Sequence, residues 1–106
     1  MAEEIVKEDF KVGEFNYSEL ENAHQFVNKK FIVLLFIDNG NNIIDIFKKM
    51  NGIVSYHYLQ ISISELQDFN ILNLEQRGRE VIINLTEKGE KLKQILKDLI
   101  MLINKK

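Results

Sequence analysis

The spacing of apolar residues switches from helical to alternating at Asn70 and back to helical after Thr86, and that switch confines the fold more than any other feature. Before Asn70, apolar side chains recur every three or four residues, the spacing of one buried helix face. After it, Leu72 and Leu74, and then Val81, Ile83 and Leu85, alternate with polar neighbours, as in a strand with one covered side. The alternating stretches flank Arg77-Gly78-Arg79, which predicts a β-hairpin over about 71–85 with a basic tip. Thr86 then opens a last helix over about 87–104, with Glu87 suiting its positive end and Lys105-Lys106 its negative end. Helices interrupted by one small hairpin define a mainly α, α+β domain.

With no proline in the chain, the ends of the earlier helices must be read from caps and glycines. Residues 1–17 are charged, with irregular apolar positions, and read as an extended arm before a domain spanning 18–106. Ser18 and Glu21 have capping-box spacing, so a helix is expected from Glu19, with the stripe Leu20, Ala23, Val27, Phe31, Leu34 and Leu35. That stripe fits one helix to Asp38, or two if Asn28 caps a second from Lys29. Asn39-Gly40 ends it in either case. Asn42 can cap a short helix over about 43–50, burying Ile43, Ile46, Phe47 and Met50 while Asp45, Lys48 and Lys49 point away. Asn51-Gly52 is the next stop, Ile53 and Val54 anchor the turn, and Ser55 caps a helix over about 55–69 with Leu59, Ile63 and Leu66 inward. Two helices joined by a tight glycine turn form a helix-turn-helix layout.

The composition removes several classes of function. The 106 residues, 45% hydrophobic, suit a single core. The longest apolar run, Phe31 to Ile37, is far short of the roughly 20 residues needed to cross a bilayer. The acidic N-terminus lacks signal-peptide layout, so a cytoplasmic protein away from membranes is expected. There is no Cys, and His24 and His57 have no helical partner at metal spacing, so neither a metal nor a cofactor is expected. No glycine-rich phosphate loop occurs and neither histidine has a nucleophile beside it in sequence, so an enzyme is not expected. The formal charge of −2 is uneven: residues 1–28 carry seven acids and two bases, whereas residues 29–106 carry nine acids and twelve bases. The presumed body is mildly basic, a weak attraction toward phosphate.

From Gly52 to Gly89 the order is a helix, Leu-Gln-Asp-Phe-Asn-Ile-Leu, a strand, an Arg-Gly-Arg tip, a second strand, and Leu85-Thr86-Glu87-Lys88-Gly89. This pattern resembles winged helix-turn-helix regulators of the MarR, PadR and ArsR kind, especially small archaeal and archaeal-virus members, over roughly residues 29–104. The resemblance implies that Ser55 to Phe69 is a recognition helix, Arg77 to Arg79 a wing tip and Glu87 to Asn104 a dimerisation helix. One departure is plain: residues 55–69 contain no Arg or Lys and include Glu65 and Asp68.

On such a helix the outward residues would be Ser55, Tyr56, His57, Gln60, Ile61 and Ser64. Gln60 can read adenine through paired hydrogen bonds, Ser55 and Ser64 can bond phosphate or base edges, and Ile61 can rest against a thymine methyl. Tyr56 and His57 would meet the backbone or a base edge at the helix start, where the dipole also favours phosphate. Arg77 and Arg79 around Gly78 can straddle a phosphate or enter the minor groove, although basic tips also discourage edge pairing of sheets. Lys48 and Lys49 can touch flanking phosphates and equally suit the negative end of their own helix. The last helix is apolar at Leu92, Ile95, Leu96, Leu99, Ile100, Leu102 and Ile103, more surface than one neighbour covers. A second copy on that face would give a homodimer facing a palindromic operator in double-stranded DNA. The alternative is a winged-helix protein-interaction module, which the acidic arm and charge-poor helix would suit. An effector groove against the last helix, with Tyr17, His24 and Phe26, is a further expectation.

Overall fold

The computed structural model describes residues 11–12 and 15–105, without the side chains of Lys11, Val12 and Tyr17. Most of the expected arm therefore lies outside the described residues. Its described part pairs Lys11–Val12 (β1) antiparallel with Phe15–Asn16 (β2) and buries Phe15 in the main core. Helices follow at Tyr17–His24 (α1) and Lys29–Leu35 (α2), then a two-residue strand Asn41–Asn42 (β3), helices Ile43–Met50 (α3) and Tyr56–Asp68 (α4), strands Leu72–Arg77 (β4) and Glu80–Leu85 (β5), and the closing helix Glu87–Asn104 (α5).

The stretch before Asp38 is two helices, and the cap of the first differs from the expected one. Asn16 stands at its N-cap and donates its backbone N–H to Glu19 Oε1 at 2.8 Å, so α1 starts at Tyr17, two residues before the position that Ser18 and Glu21 suggested. Asn28 opens α2 by accepting from the Lys30 N–H at 2.8 Å. The break resets the helical phase: Ile32, Val33 and Leu34 turn inward, whereas Phe31, expected on the buried stripe, is 40% exposed. Downstream, Asn42 and Asp45 form a reciprocal capping box on α3, and Ser55 accepts from the Tyr58 N–H to cap α4. Between these helices Asn51 and Gly52 both take positive φ, 47° and 87°, which lets the chain turn within a few residues.

The sheet has the order β3-β5-β4, one strand more than the expected hairpin. Asn41 and Asn42 pair with Ile83 and Ile82, and Asn39 Oδ1 accepts from the Leu85 N–H at 2.7 Å. A two-residue polar strand has no alternation to betray it. β4 and β5 pair from Leu72↔Leu85 to Arg77↔Glu80, leaving Gly78 and Arg79 as a two-residue tip. Gly78 has φ 60° while Arg79 does not have positive φ, the pattern of a type II′ turn. Alternation marks the hairpin's inward face only near its base: Val81 is exposed and Ile82, on the opposite face, is buried where α3 packs against β5.

Among the described residues, one core joins the five helices to the hairpin base, with Leu34, Ile46, Met50, Leu59, Leu72, Ile83 and Ile100 essentially inaccessible. Here two interface expectations are corrected. Leu96 and Ile100 are buried within their own chain, because α5 lies against both α1 and α2, and neither is available to a partner. Leu92 and Ile103 are half-buried, whereas Ile95, Leu99 and Leu102 stand out at 62%, 41% and 67% exposure. The far end of α5 is clasped by α1: Asn104 Nδ2 donates to the Glu19 carbonyl at 3.2 Å, and Asn22 Nδ2 donates to Asn104 Oδ1 at 3.0 Å.

The near end of α5 rests directly on the loop before the hairpin. The Thr86 hydroxyl donates to the Asn70 and Ile71 carbonyls and accepts from the Gly89 N–H at 3.0 Å. A Cβ on Gly89 would overlap the Ile71 carbonyl oxygen, so the first turn of α5 can approach only because residue 89 has no side chain.

Candidate nucleic-acid interface

His57, Gln60, Ile61 and Ser64 lie at i, i+3, i+4 and i+7 along α4, and all four are exposed. That spacing puts them on one face, opposite the buried Leu59, Ile63 and Leu66. Ile61 is 41% exposed amid polar neighbours. Ser55 sits at the start of the same helix with its hydroxyl oxygen already accepting from Tyr58 N–H at 3.1 Å, so the hydroxyl hydrogen is what it can still offer. Tyr56 is exposed at one edge and meets the Phe47 ring edge-on, centroids 5.3 Å apart, which ties α4 to α3 across the turn.

The two acids on α4 lie off this face or at its far end. Glu65 forms an ion pair of 2.5 Å with Lys30 on α2, a hydrogen bond that also raises the Lys30 pKa. Asp68 ends the helix. The Tyr58 hydroxyl donates to Asn28 Oδ1 at 3.2 Å, a second tie between α4 and α2. Nothing in the sequence pairs Lys30 with Glu65, 35 positions apart, so the neutralisation of Glu65 is visible only in the fold.

The hairpin tip is less basic than its Arg-Gly-Arg sequence. Arg77 donates through Nε to Glu75 Oε2 at 2.9 Å and through Nη2 to Glu75 Oε1 at 3.1 Å. The guanidinium holds the Glu75 carboxyl below its ordinary range, and the same hydrogen bond raises the Arg77 pKa. Between Leu72 and Leu85 the charges are Glu75, Arg77, Arg79 and Glu80, which cancel. Arg79 makes no hydrogen bond or ion pair among the described residues.

A similar division holds for the two lysines of α3. Lys49 donates to Asp38 Oδ2 at 2.8 Å and also to Asn41, whereas Lys48 is exposed and has no ion pair among the described residues. Asp38 also accepts from Lys93 of α5 at 3.2 Å. The hydrogen bond from Lys49, with that from Lys93, keeps the Asp38 carboxyl below its ordinary pKa. A carboxyl shifted in this direction contributes stability above its unfolded pKa and loses it as the pH falls through its lower folded value. Asp38→Asn should therefore shrink the drop in melting temperature between pH 6 and pH 3, and parallel acid profiles for the two proteins would refute the pairing.

The expected effector groove is placed differently. His24 and Phe26 line an open hollow with Asn28 and Tyr58, away from α5. The apolar cleft beside α5, about 350 Å³, is formed instead by Phe31, Leu66, Phe69, Ile71 and Leu92. Among the described residues, no three His, Asp or Glu side chains gather at metal-binding distance, and no helix is long and apolar enough to cross a membrane.

Three helices, a tight turn between the second and third, and a two-stranded hairpin before a long final helix make this a winged helix-turn-helix fold. No family model and no curated protein matches the sequence. Solved structures do: the chain is similar to AF1382 from Archaeoglobus fulgidus, with a TM-score of 0.68 and 24% identity over 78% of this chain and 97% of that one. It is similar also to F-93 of SSV1, with a TM-score of 0.64 and 26% identity over 73% of this chain and 90% of that one. A third likeness is to Bordetella bronchiseptica BpsR, a protein whose DNA binding is regulated by 6-hydroxynicotinic acid, with a TM-score of 0.67 and 16% identity over 81% and 72% of the two chains. The expected fold class, mainly α with a small β wing, is the one found.

Proposed function

We propose that this protein is a cytoplasmic, non-enzymatic transcriptional regulator that binds duplex DNA sequence-specifically as a homodimer, with α4 in the major groove and the hairpin against the backbone or minor groove. The observation that carries this reading is the unbroken exposed face of His57, Gln60, Ile61 and Ser64 on a helix whose other face is locked into the core. The DNA binding of BpsR, which shares the fold, supports it. Ser55 and Tyr56 at the helix start meet phosphate or base edges, Lys48 meets flanking phosphate, Arg79 meets phosphate or the minor groove, and Gly78 lets the tip approach closely. Lys49 and Arg77 contribute less, since each already holds a carboxylate. Ile95, Leu99 and Leu102, flanked by Leu92 and Ile103, form the contact between copies. A twofold pair built this way sets two recognition helices about 34 Å apart, one DNA turn, and so reads a palindromic operator.

Titration of labelled duplexes at several salt concentrations tests this reading, because each neutralised phosphate adds about 0.9 to the slope of log affinity against log salt. Arg79→Ala should weaken binding to all sequences and lower that slope by about 1. Arg77→Ala should change it less, and Glu75→Gln should strengthen binding by freeing Arg77. Equal slopes in the parent and all three variants would remove the hairpin from the interface.

The absence of Lys and Arg from α4, with a hairpin of zero net charge, favours a second reading as a protein-interaction module. Salt-insensitive, negligible binding to every duplex would select that reading.

A further inference from the structure

We infer that the sequence this protein reads is made of A·T pairs, with Gln60 as the adenine reader and Ile61 as the thymine contact. The inference rests on the DNA-binding reading above and goes beyond it to the chemical class of the operator. In the major groove guanine offers two acceptors, N7 and O6, and is read by a side chain that presents parallel donors, as Arg does, or by Lys. Cytosine offers a donor and is read by a carboxylate. Neither reader is present where α4 would meet bases. No Arg or Lys occurs in residues 55–69, and a single imidazole ring at His57 cannot present two parallel donors.

The two carboxylates of α4 are withdrawn in different ways. Glu65 is held by Lys30 of α2, and Asp68 closes the helix at the end opposite the docking turn. Base edges are contacted chiefly from the N-terminal part of a recognition helix. There, the exposed face offers Gln60, whose amide pairs with adenine N6 and N7, and beside it the branched apolar side chain of Ile61, which matches the C5 methyl of thymine. Ser64, one turn further, bonds either kind of base and selects neither. The exposed part of the Ile61 side chain, 41% of the residue, gains nothing from water, whereas against a methyl group it gains contact area. One adenine reader adjacent to one methyl contact, without a guanine or cytosine reader, fits adjacent A·T pairs.

The test selects duplexes from a random library with the full chain and then edits the best one. Enrichment of A·T-rich half-sites is expected. Replacing one contacted thymine by uracil removes a single methyl and should weaken the parent about fourfold. The same change should leave Ile61→Ala unaffected. Replacing one contacted adenine by 7-deazaadenine removes N7 and should weaken the parent about tenfold while leaving Gln60→Ala indifferent. Both side chains are exposed, so the variants should fold, and the base edits probe the parent protein in any case. Enrichment of G·C-rich half-sites, or equal sensitivity to the edits in parent and variants, would overturn the inference and leave DNA binding standing. Failure to enrich any duplex at low salt would overturn both.

Discussion

Gly89→Ala is expected to destabilise the fold by about 3 kcal/mol, the upper end of what overpacking costs, and to lower the melting temperature by roughly 15 °C for a domain of this size. The direction is what makes the result informative. In an exposed helix the same change is stabilising, by about 1 kcal/mol, because alanine is the better helix former. Here the new methyl would overlap the Ile71 carbonyl oxygen and lie 3.0 Å from its carbon, and both atoms are backbone that cannot turn aside. Accommodation requires α5 to lift from the loop. Lifting it breaks the bonds from the Thr86 hydroxyl to the Asn70 and Ile71 carbonyls and the Thr86 N–H bond to the Ile71 carbonyl oxygen, which is 3.1 Å long. Thermal unfolding followed by circular dichroism checks this, and an unchanged or higher midpoint would mean that α5 does not rest on Ile71.

The second large effect follows from the proposed homodimer. Leu99→Glu combined with Leu102→Glu should produce a folded monomer and reduce operator affinity at least about 100-fold, because each half-site then binds without the other tethered beside it. Sedimentation reports the first outcome and titration the second; a dimer that survives both charges would move the contact elsewhere. Choosing these two positions depends on the fold. Leu96 lies on the same apolar helix, but it is buried against the chain's own helices, and a carboxylate there would unfold the protein without testing any interface.

That difference shows where the sequence was legible. The helix-turn-helix, the hairpin and the closing helix announce themselves through local rules, since period, cap and glycine stop each act within a few residues. Ser55, Asn42 and Thr86 cap the helices expected of them. What the sequence withheld is pairing across distance. The width of the apolar surface on α5 was visible, but its division into inner Leu96 and Ile100 and outer Ile95, Leu99 and Leu102 depends on how α1 and α2 lie against it. The basic tip was visible, and its cancellation is local: Glu75 and Arg77, two residues apart on one strand, share a face that the alternation already implied. Phe31 fits a single unbroken helical stripe, and only the restart at Asn28 turns it outward.

The outer hairpin deserves a different view from the rest of the chain. From Asn73 to Val81 every residue is exposed, while the strands are anchored below by Leu72, Ile82 and Ile83. Such a segment is a replaceable part: its residues can be exchanged for another two-residue hairpin with little effect on folding. A new tip can therefore be grafted there without redesigning the interior.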